Sequence, residues 1–161
     1  MIENLVTLAD LQLMIPEIFV CAAAFALLMV DLFLSEQRRA LTHFLALLIL
    51  AAAAVLTVRE LATSTAAMAF SGFFVRDLAG DVLKLGMYAV TAFVFVYAKP
   101  YLIDRGLFKG EFYALVLFAL LGMMLMVSAG GMVTLYLGLE LLALSAYGLV
   151  AMDRDNATAS E

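Results

Sequence analysis

Five long apolar stretches separated by short polar segments dominate the chain. They run over residues 15–34, 40–58, 82–98, 112–129 and 132–152. A helix needs about 20 predominantly apolar residues to cross a bilayer core of roughly 30 Å, so each stretch is long enough, or nearly so, to span a membrane. Only Gly130 and Gly131 separate the last two stretches, and we expect a tight antiparallel pair there. The pattern predicts five transmembrane helices in a single membrane domain over residues 1–161.

The apolar runs favour helices over strands. Backbone polar groups cannot stay unsatisfied in lipid, which leaves helices or a closed barrel as spanning structures. Barrel strands alternate apolar and polar residues over about ten positions. Residues 45–56 are apolar on every side instead. The predicted fold class is therefore an all-α integral membrane protein.

A longer connection, residues 59–81, joins the second and third predicted spans. It contains the segment Phe-Ser-Gly-Phe-Phe-Val at residues 70–75. Short aromatic segments of this kind form hairpin strands or anchor at the depth of the lipid headgroups. The sequence leaves both alternatives open.

The distribution of basic residues predicts the orientation of the bundle. With the N-terminus outside, six Lys and Arg residues lie on the inner side and three on the outer side. The inner ones are Arg38, Arg39, Lys99, Arg105, Lys109 and Arg154, and the outer ones are Arg59, Arg76 and Lys84. Cytoplasmic segments carry the excess of basic residues, so the pattern favours an N-out, C-in arrangement.

Composition supports a membrane protein and excludes several other classes. Hydrophobic residues make up 66% of the chain and charged residues 14%, against about 45–50% and about 25% in soluble domains. No basic run or phosphate-binding glycine loop indicates nucleic-acid or nucleotide binding. Cys21 is the single cysteine and His43 the single histidine. The sequence thus offers no ligand set for haem, an iron–sulfur cluster or zinc, and we expect no cofactor in this chain.

Glu140 is the residue that most strongly indicates chemistry. It is the only charged residue between Glu111 and Asp153, and it lies near the middle of the fifth span. Placing an ionisable group there costs about 2.5–3.5 kcal/mol on insertion scales, and such groups usually mark an ion or proton path. A buried carboxyl whose cationic partner approaches and withdraws binds and releases a proton. We therefore predict that Glu140 is a proton relay.

Helical spacing places Glu140 in a polar stripe. Tyr136, Glu140, Ala143 and Tyr147 fall on one face, and the two tyrosines are secondary candidates. Thr134, Gly138 and Ser145 are expected on an adjoining face, where small residues let another helix approach closely. The alternative interpretation is that Glu140 only hydrogen-bonds a neighbouring helix and stabilises the bundle.

Other charged residues in the spans have simpler interpretations. Lys84, a further secondary candidate, is expected to pair with Asp81 at the outer surface, with its long side chain reaching toward the headgroups. Glu17 stands at a helix start, where an acid complements the helix dipole. His43 is interpreted as an interfacial residue.

Residues 110–152 resemble a known family. The segments that show this are Gly-Glu-Phe-Tyr-Ala-Leu-Val-Leu-Phe-Ala-Leu-Leu-Gly-Met-Met-Leu-Met, starting at Gly110, and Leu-Tyr-Leu-Gly-Leu-Glu-Leu-Leu-Ala-Leu-Ser-Ala-Tyr around Glu140. They resemble subunit N of the bacterial proton-pumping NADH:quinone oxidoreductase, respiratory complex I. Weaker agreement extends upstream over nearly the whole chain. One departure is Ala129-Gly130-Gly131-Met132, where members often have Ala-x-Asp-Leu.

The resemblance implies more than the residues alone. It implies the N-terminal part of a fourteen-helix, antiporter-like subunit in the membrane arm, located in the bacterial inner membrane beside other membrane-arm subunits. Such a subunit moves protons and has no redox centre, while NADH, flavin, iron–sulfur clusters and quinone belong to partner subunits. Glu140 matches the family's proton-path glutamate, whose partner is a lysine two helices further on. The alternatives are a subunit of a related cation/proton antiporter and a purely structural membrane subunit.

Overall fold

Six helices and one short hairpin form the part of the chain that the computed structural model describes, residues 8–33, 39–63, 66–106 and 108–152. The helices are α1 (Leu8–Leu13), α2 (Ile15–Phe33), α3 (Arg39–Thr63), α4 (Leu78–Asp104), α5 (Gly110–Val127) and α6 (Met132–Ala151), and the strands are β1 (Ala67–Ala69) and β2 (Phe74–Arg76). Helices α2 to α6 are long and apolar enough to cross a membrane, which makes five spans among the described residues. The predicted all-α fold with five spans is confirmed, with the addition of the hairpin.

Helices α3 and α4 extend into the connection that was predicted over residues 59–81. Helix α3 continues to Thr63, and α4 begins at Leu78 rather than at residue 82. Asp77 explains the earlier start, since its side chain accepts a hydrogen bond of 2.7 Å from the Gly80 amide and caps the helix. Helix α4 also continues past Pro100 to Asp104. The connection between α3 and α4 is thus much shorter than the polar pattern indicated.

The hairpin of β1 and β2 occupies what remains of that connection. The strands are antiparallel, with Ala67 opposite Arg76 and Ala69 opposite Phe74. The turn at Phe70–Gly72 contains two residues with positive φ that are not glycine, Phe70 at 52° and Ser71 at 56°. Of the two alternatives for residues 70–75, the structure shows the hairpin.

The hairpin packs on the link between α5 and α6. The Val75 amide donates to the Ser128 carbonyl at 2.8 Å, and the Gly130 amide donates to the Phe73 carbonyl at 3.0 Å. A Cβ atom at Gly130 would collide with the carbonyl oxygen of Gly72, so this link approaches the hairpin as closely as glycine allows. We call this side of the bundle the hairpin end.

Helix α5 lies at the centre of the bundle, where it packs against α2, α3, α4 and α6. Apolar side chains from α2 to α5 form the core: Val20, Ala24, Leu27, Ala46, Leu50, Ala53, Phe95, Leu117, Leu120, Leu121 and Met124. Helix α6 packs mainly on α5 and is the least buried of the five spans. The other helices of the described part leave much of its surface uncovered.

Candidate functional site

Glu140 lies on the uncovered side of α6. Its side chain is half-buried, and the hydroxyl of Tyr136, one turn earlier, is its polar neighbour on the same helix. Tyr136 and Tyr147, the other polar members of the predicted stripe, are 59% and 70% exposed. No ion pair of Glu140 occurs among the residues that the structure describes. The carboxyl therefore has one hydroxyl neighbour and faces away from the core of the described bundle.

The small residues of α6 lie on the other side of the helix from Glu140. Gly138 and Ser145 are buried in the contact with α5, and Gly138 approaches the backbone of Gly122. The prediction that these small residues let another helix approach closely is confirmed, whereas the prediction that they adjoin the Glu140 stripe is wrong. With 3.6 residues per turn, two consecutive steps rotate by about 200°, so Gly138 and Glu140 point in nearly opposite directions. Glu140 consequently does not hold α6 to α5.

A second group of charged residues lies at the hairpin end, and its members are buried apart from Glu60, which is partly exposed. It consists of Glu17 on α2, Glu60 on α3, Arg76 on β2, and Asp81 and Lys84 on α4, and we call it the buried charge cluster. Lys84 Nζ lies 2.6 Å from Glu17 Oε1 and 3.7 Å from Asp81 Oδ1. Arg76 Nε and Nη2 each donate to Asp81 Oδ2 at 3.1 Å, and Arg76 Nη1 lies 3.4 Å from Glu60 Oε2. The cluster joins three helices and the hairpin through charged side chains.

Burial of this cluster corrects two expectations. Lys84 does pair with Asp81, but its predicted position at the outer surface is wrong, because Lys84 is only 1% exposed. Glu17, which was interpreted as a complement of the helix dipole, is 2% exposed and contacts Lys84 of α4. The aromatic ring of Phe74, 5.6 Å from Lys84 Nζ, lies beside the ammonium. Both side chains therefore point into the bundle instead of toward the headgroups.

Sequence reasoning missed the Glu17–Lys84 pair although the sequence contains a signal for it. In a bundle of alternating spans, the first and third spans begin at the same side of the membrane. Glu17 stands near the start of the first span, and Lys84 near the start of the third. Opposite charges at matching depth in two such spans indicate an ion pair between them.

Further polar contacts lie along the inside of the bundle. Next to the cluster, the hydroxyls of Thr57 and Tyr88 are 3.2 Å apart. Toward the opposite end, His43 Nδ1 and the Tyr113 hydroxyl are 3.0 Å apart, and His43 is buried between helices. Its interfacial depth in the membrane stays a prediction. Leu50 lies between His43 and Thr57 along α3 and is part of the apolar core. These two pairs of polar groups therefore lie at separate places along the inside of the described bundle.

No group of three or more His, Cys, Asp or Glu side chains suited to a metal ion occurs in the described ranges. The absence of a cofactor from the chain stays a prediction.

Comparison with known proteins identifies the family, although no family model matches the chain. The chain is 48% identical over 152 residues to NADH-quinone oxidoreductase subunit N of Thioalkalivibrio sulfidiphilus, which covers 94% of this chain and 32% of that protein. It is 50% identical over 153 residues to subunit N of Methylovorus glucosotrophus, and this match covers 95% of the chain and 32% of that relative. It is 51% identical over 147 residues to subunit N of Thiobacillus denitrificans, and this match covers 91% of the chain and 30% of that relative. Over its matched length, the chain belongs to the subunit N family.

Membership in the subunit N family confirms the resemblance that was noted around Glu140. The chain spans about a third of the length of the curated relatives it matches. The match covers more than nine-tenths of the chain itself, so both Glu140 and the buried charge cluster lie within the matched residues. Together with the five apolar helices, it identifies a multi-pass membrane protein.

Proposed function

We propose that this chain acts as part of a membrane-arm subunit of NADH:quinone oxidoreductase and takes part in proton translocation coupled to electron transfer from NADH to quinone. Identities of 48–51% to proteins named subunit N over more than nine-tenths of the chain are the observation that carries this proposal. The antiporter alternative is not favoured, because these relatives are named as subunits of the oxidoreductase.

The remaining assignments follow from this function. The subunit would be embedded in the bacterial inner membrane, N-out and C-in, against other membrane-arm subunits. It would have no redox centre of its own, since NADH, flavin, iron–sulfur clusters and quinone would bind to partner subunits. On its own the chain would therefore not be catalytic.

Glu140 is the residue that we assign to proton transfer. A carboxyl near the middle of a spanning helix is costly unless it is hydrogen-bonded or paired with a cation. The Tyr136 hydroxyl is a polar neighbour of Glu140, and the described helices leave the Glu140 face of α6 uncovered. A lysine of a further spanning segment, as the family implies, would complete the pair on this face. Movement of that lysine toward and away from Glu140 would release and bind the proton.

The test is the variant Glu140→Gln in the intact complex, with proton translocation measured per NADH oxidised in membrane vesicles. Glutamine keeps the size and hydrogen-bonding capacity of the side chain but cannot carry a titrating proton. We expect translocation to fall severely while the complex assembles normally. Glu111→Gln is the matched control, because Glu111 is an exposed carboxyl in the first turn of α5.

Normal assembly combined with unchanged translocation in Glu140→Gln would contradict the relay role. It would support the structural alternative, in which Glu140 only secures a helix contact. That alternative also predicts that Glu140→Ala disrupts assembly whereas Glu140→Gln does not. The position of Glu140 opposite the α5–α6 contact argues against a structural role within the described bundle.

A further inference from the structure

One carbonyl of the hairpin accepts two hydrogen bonds from the segment that leads into α6. The Gly130 amide donates to the Phe73 carbonyl at 3.0 Å, and the Thr134 hydroxyl donates to the same carbonyl at 2.8 Å. A carbonyl oxygen has two lone pairs, so both of its acceptor sites are used. Phe73 thus ties both the link between α5 and α6 and the first turn of α6 to the hairpin.

Thr134 is the side chain that makes this tie at the start of α6. The N-cap position of the helix is Gly131, which has no side chain to cap the helix. Threonine hydroxyls inside helices commonly bond to a backbone carbonyl of their own helix, three or four residues earlier. The Thr134 hydroxyl instead reaches out of α6 to the residue just before β2. Its hydrogen bond therefore joins two elements of the fold.

The hairpin is itself fixed on its other side, so it can serve as an anchor for α6. Arg76, at the end of β2, donates to Asp81 Oδ2 of α4 through both Nε and Nη2, at 3.1 Å each. The ring of Phe74 lies 5.6 Å from Lys84 Nζ, also on α4. Phe73 directly precedes these two β2 contacts in the chain. The position of its carbonyl is therefore set against α4, and α6 is tied to that position.

Helix α6 has less packing than the other spans to hold its rotation. It packs mainly on α5 and is the least buried of the five spans. The approach of Gly138 to Gly122 sets the distance between these two helices, but neither glycine has a side chain that interlocks with the other helix. A tie at the start of α6, about one turn before Gly138, restricts the rotation of the helix about its axis and its depth. Thr134 supplies this tie.

We propose that Thr134 is a positioning residue for Glu140, and that it acts by holding α6 to the Phe73 carbonyl. The inference rests on the proton-relay role proposed for Glu140. Glu140 follows Thr134 by six residues on the same helix, which is about 9 Å along its axis. A rotation or shift of α6 therefore moves the carboxyl relative to a cation on a neighbouring span. A misplacement of about 1 Å at a reacting group can lower a rate about 100-fold.

The test compares Thr134→Val with Thr134→Ser in the intact complex, with the protons translocated per NADH oxidised measured in membrane vesicles. Valine keeps the shape of the side chain but removes the hydroxyl, whereas serine keeps the hydroxyl and with it the bond to Phe73. We expect the ratio to fall in Thr134→Val and to stay close to wild type in Thr134→Ser. Poorer assembly alone would lower oxidation and translocation together and leave their ratio unchanged. An unchanged ratio in Thr134→Val, or an equal fall in Thr134→Ser, overturns the proposal.

Hydrogen exchange of the same complexes reports on the start of α6 independently of transport. The Leu135 amide donates to the Gly131 carbonyl in the first turn of the helix. Loss of one net hydrogen bond changes a local opening equilibrium about fivefold. Exchange at Leu135 should therefore be about fivefold faster in Thr134→Val than in Thr134→Ser. Equal exchange in the two variants would show that the hydroxyl does not hold the helix, and would overturn the proposal.

Thr42→Val is the matched control, because the Thr42 hydroxyl donates to Asp31 Oδ1 at 3.0 Å and so links α3 to α2 rather than the hairpin to α6. Its ratio should equal the wild-type ratio, and a fall as large as that of Thr134→Val would contradict a specific role of Thr134. Glu140→Gln separates this proposal from the proposed function. If Glu140→Gln lowers the ratio and Thr134→Val does not, the positioning role alone fails. If Glu140→Gln leaves the ratio unchanged, the relay role fails, and the positioning role fails with it.

Discussion

Gly122 on α5 and Gly138 on α6 approach each other so closely that a Cβ atom on either would lie 2.7 Å from the carbonyl oxygen of the other. Helices in a membrane associate through such small-residue contacts, because lipid provides no hydrophobic driving force between them. This contact fixes α6 on α5 and directs the opposite side of α6, with Glu140, away from the described bundle. The position of the candidate proton site therefore depends on two glycines that carry no chemistry.

Gly122→Ala is expected to destabilise the pair of α5 and α6. The new methyl group would overlap the backbone of α6, and overpacking of this kind costs about 1–3 kcal/mol. Gly86→Ala on α4 is the matched control, since no atom lies within 4 Å of a Cβ there. The free energy of unfolding in lipid–detergent micelles distinguishes them. Equal stability of Gly122→Ala and Gly86→Ala would contradict the observed contact.

Lys84→Met is expected to be strongly destabilising, because it removes the ammonium that lies 2.6 Å from the buried carboxylate of Glu17. Removing one partner of a buried ion pair costs about 3–5 kcal/mol. Lys99→Met is the control, because Lys99 lies over the Phe44 ring, 5.7 Å from its centroid, and outside the cluster.

The double variant Lys84→Met with Glu17→Gln separates charge from packing. It removes the carboxylate together with its cation, so much of the lost stability should return. A double variant that is no more stable than Lys84→Met would show that the packing of the lysine stem, not its charge, stabilises the bundle. The free energies of unfolding of the single and double variants provide this comparison.

The sequence predicts those features of the fold that follow from local composition. Apolar runs longer than a bilayer core identify the five spans, and the lone charge in the last span identifies Glu140. The surroundings of Lys84 could not be predicted in this way, because its burial depends on which helices are neighbours. Its apparent position at a helix end favoured the surface, whereas the adjacent hairpin and Glu17 enclose it.

Tyr113→Phe is expected to weaken the inner part of the bundle. The substitution removes the hydroxyl that lies 3.0 Å from His43 Nδ1 and leaves a buried imidazole nitrogen without this partner. An unsatisfied buried polar group costs about 1–3 kcal/mol. Tyr97→Phe is the control, because Tyr97 is exposed on α4. Equal unfolding free energies for the two variants would show that the His43–Tyr113 contact contributes nothing measurable.

Gly130→Ala is expected to release the hairpin from the link between α5 and α6 while leaving the helices intact. A methyl group at this position would collide with the Gly72 carbonyl, so the backbone hydrogen bonds between hairpin and link could not keep their geometry. We expect faster hydrogen exchange at the amide of Val75, which donates to Ser128. Amides within α5 should exchange as in the wild type, because local opening need not involve the core.

Gly131→Ala is the neighbouring control for this measurement. A Cβ atom there would meet only the ring of Phe73, at 3.3 Å, and that ring is exposed and free to rotate away. Exchange at Val75 should therefore stay close to the wild-type rate in Gly131→Ala. If both variants exchange at the wild-type rate, the hairpin is held by the Arg76 ion pairs with Asp81 and Glu60 rather than by its contact with the link. Faster exchange in Gly130→Ala alone would show that the glycine contact positions the hairpin over the buried charge cluster.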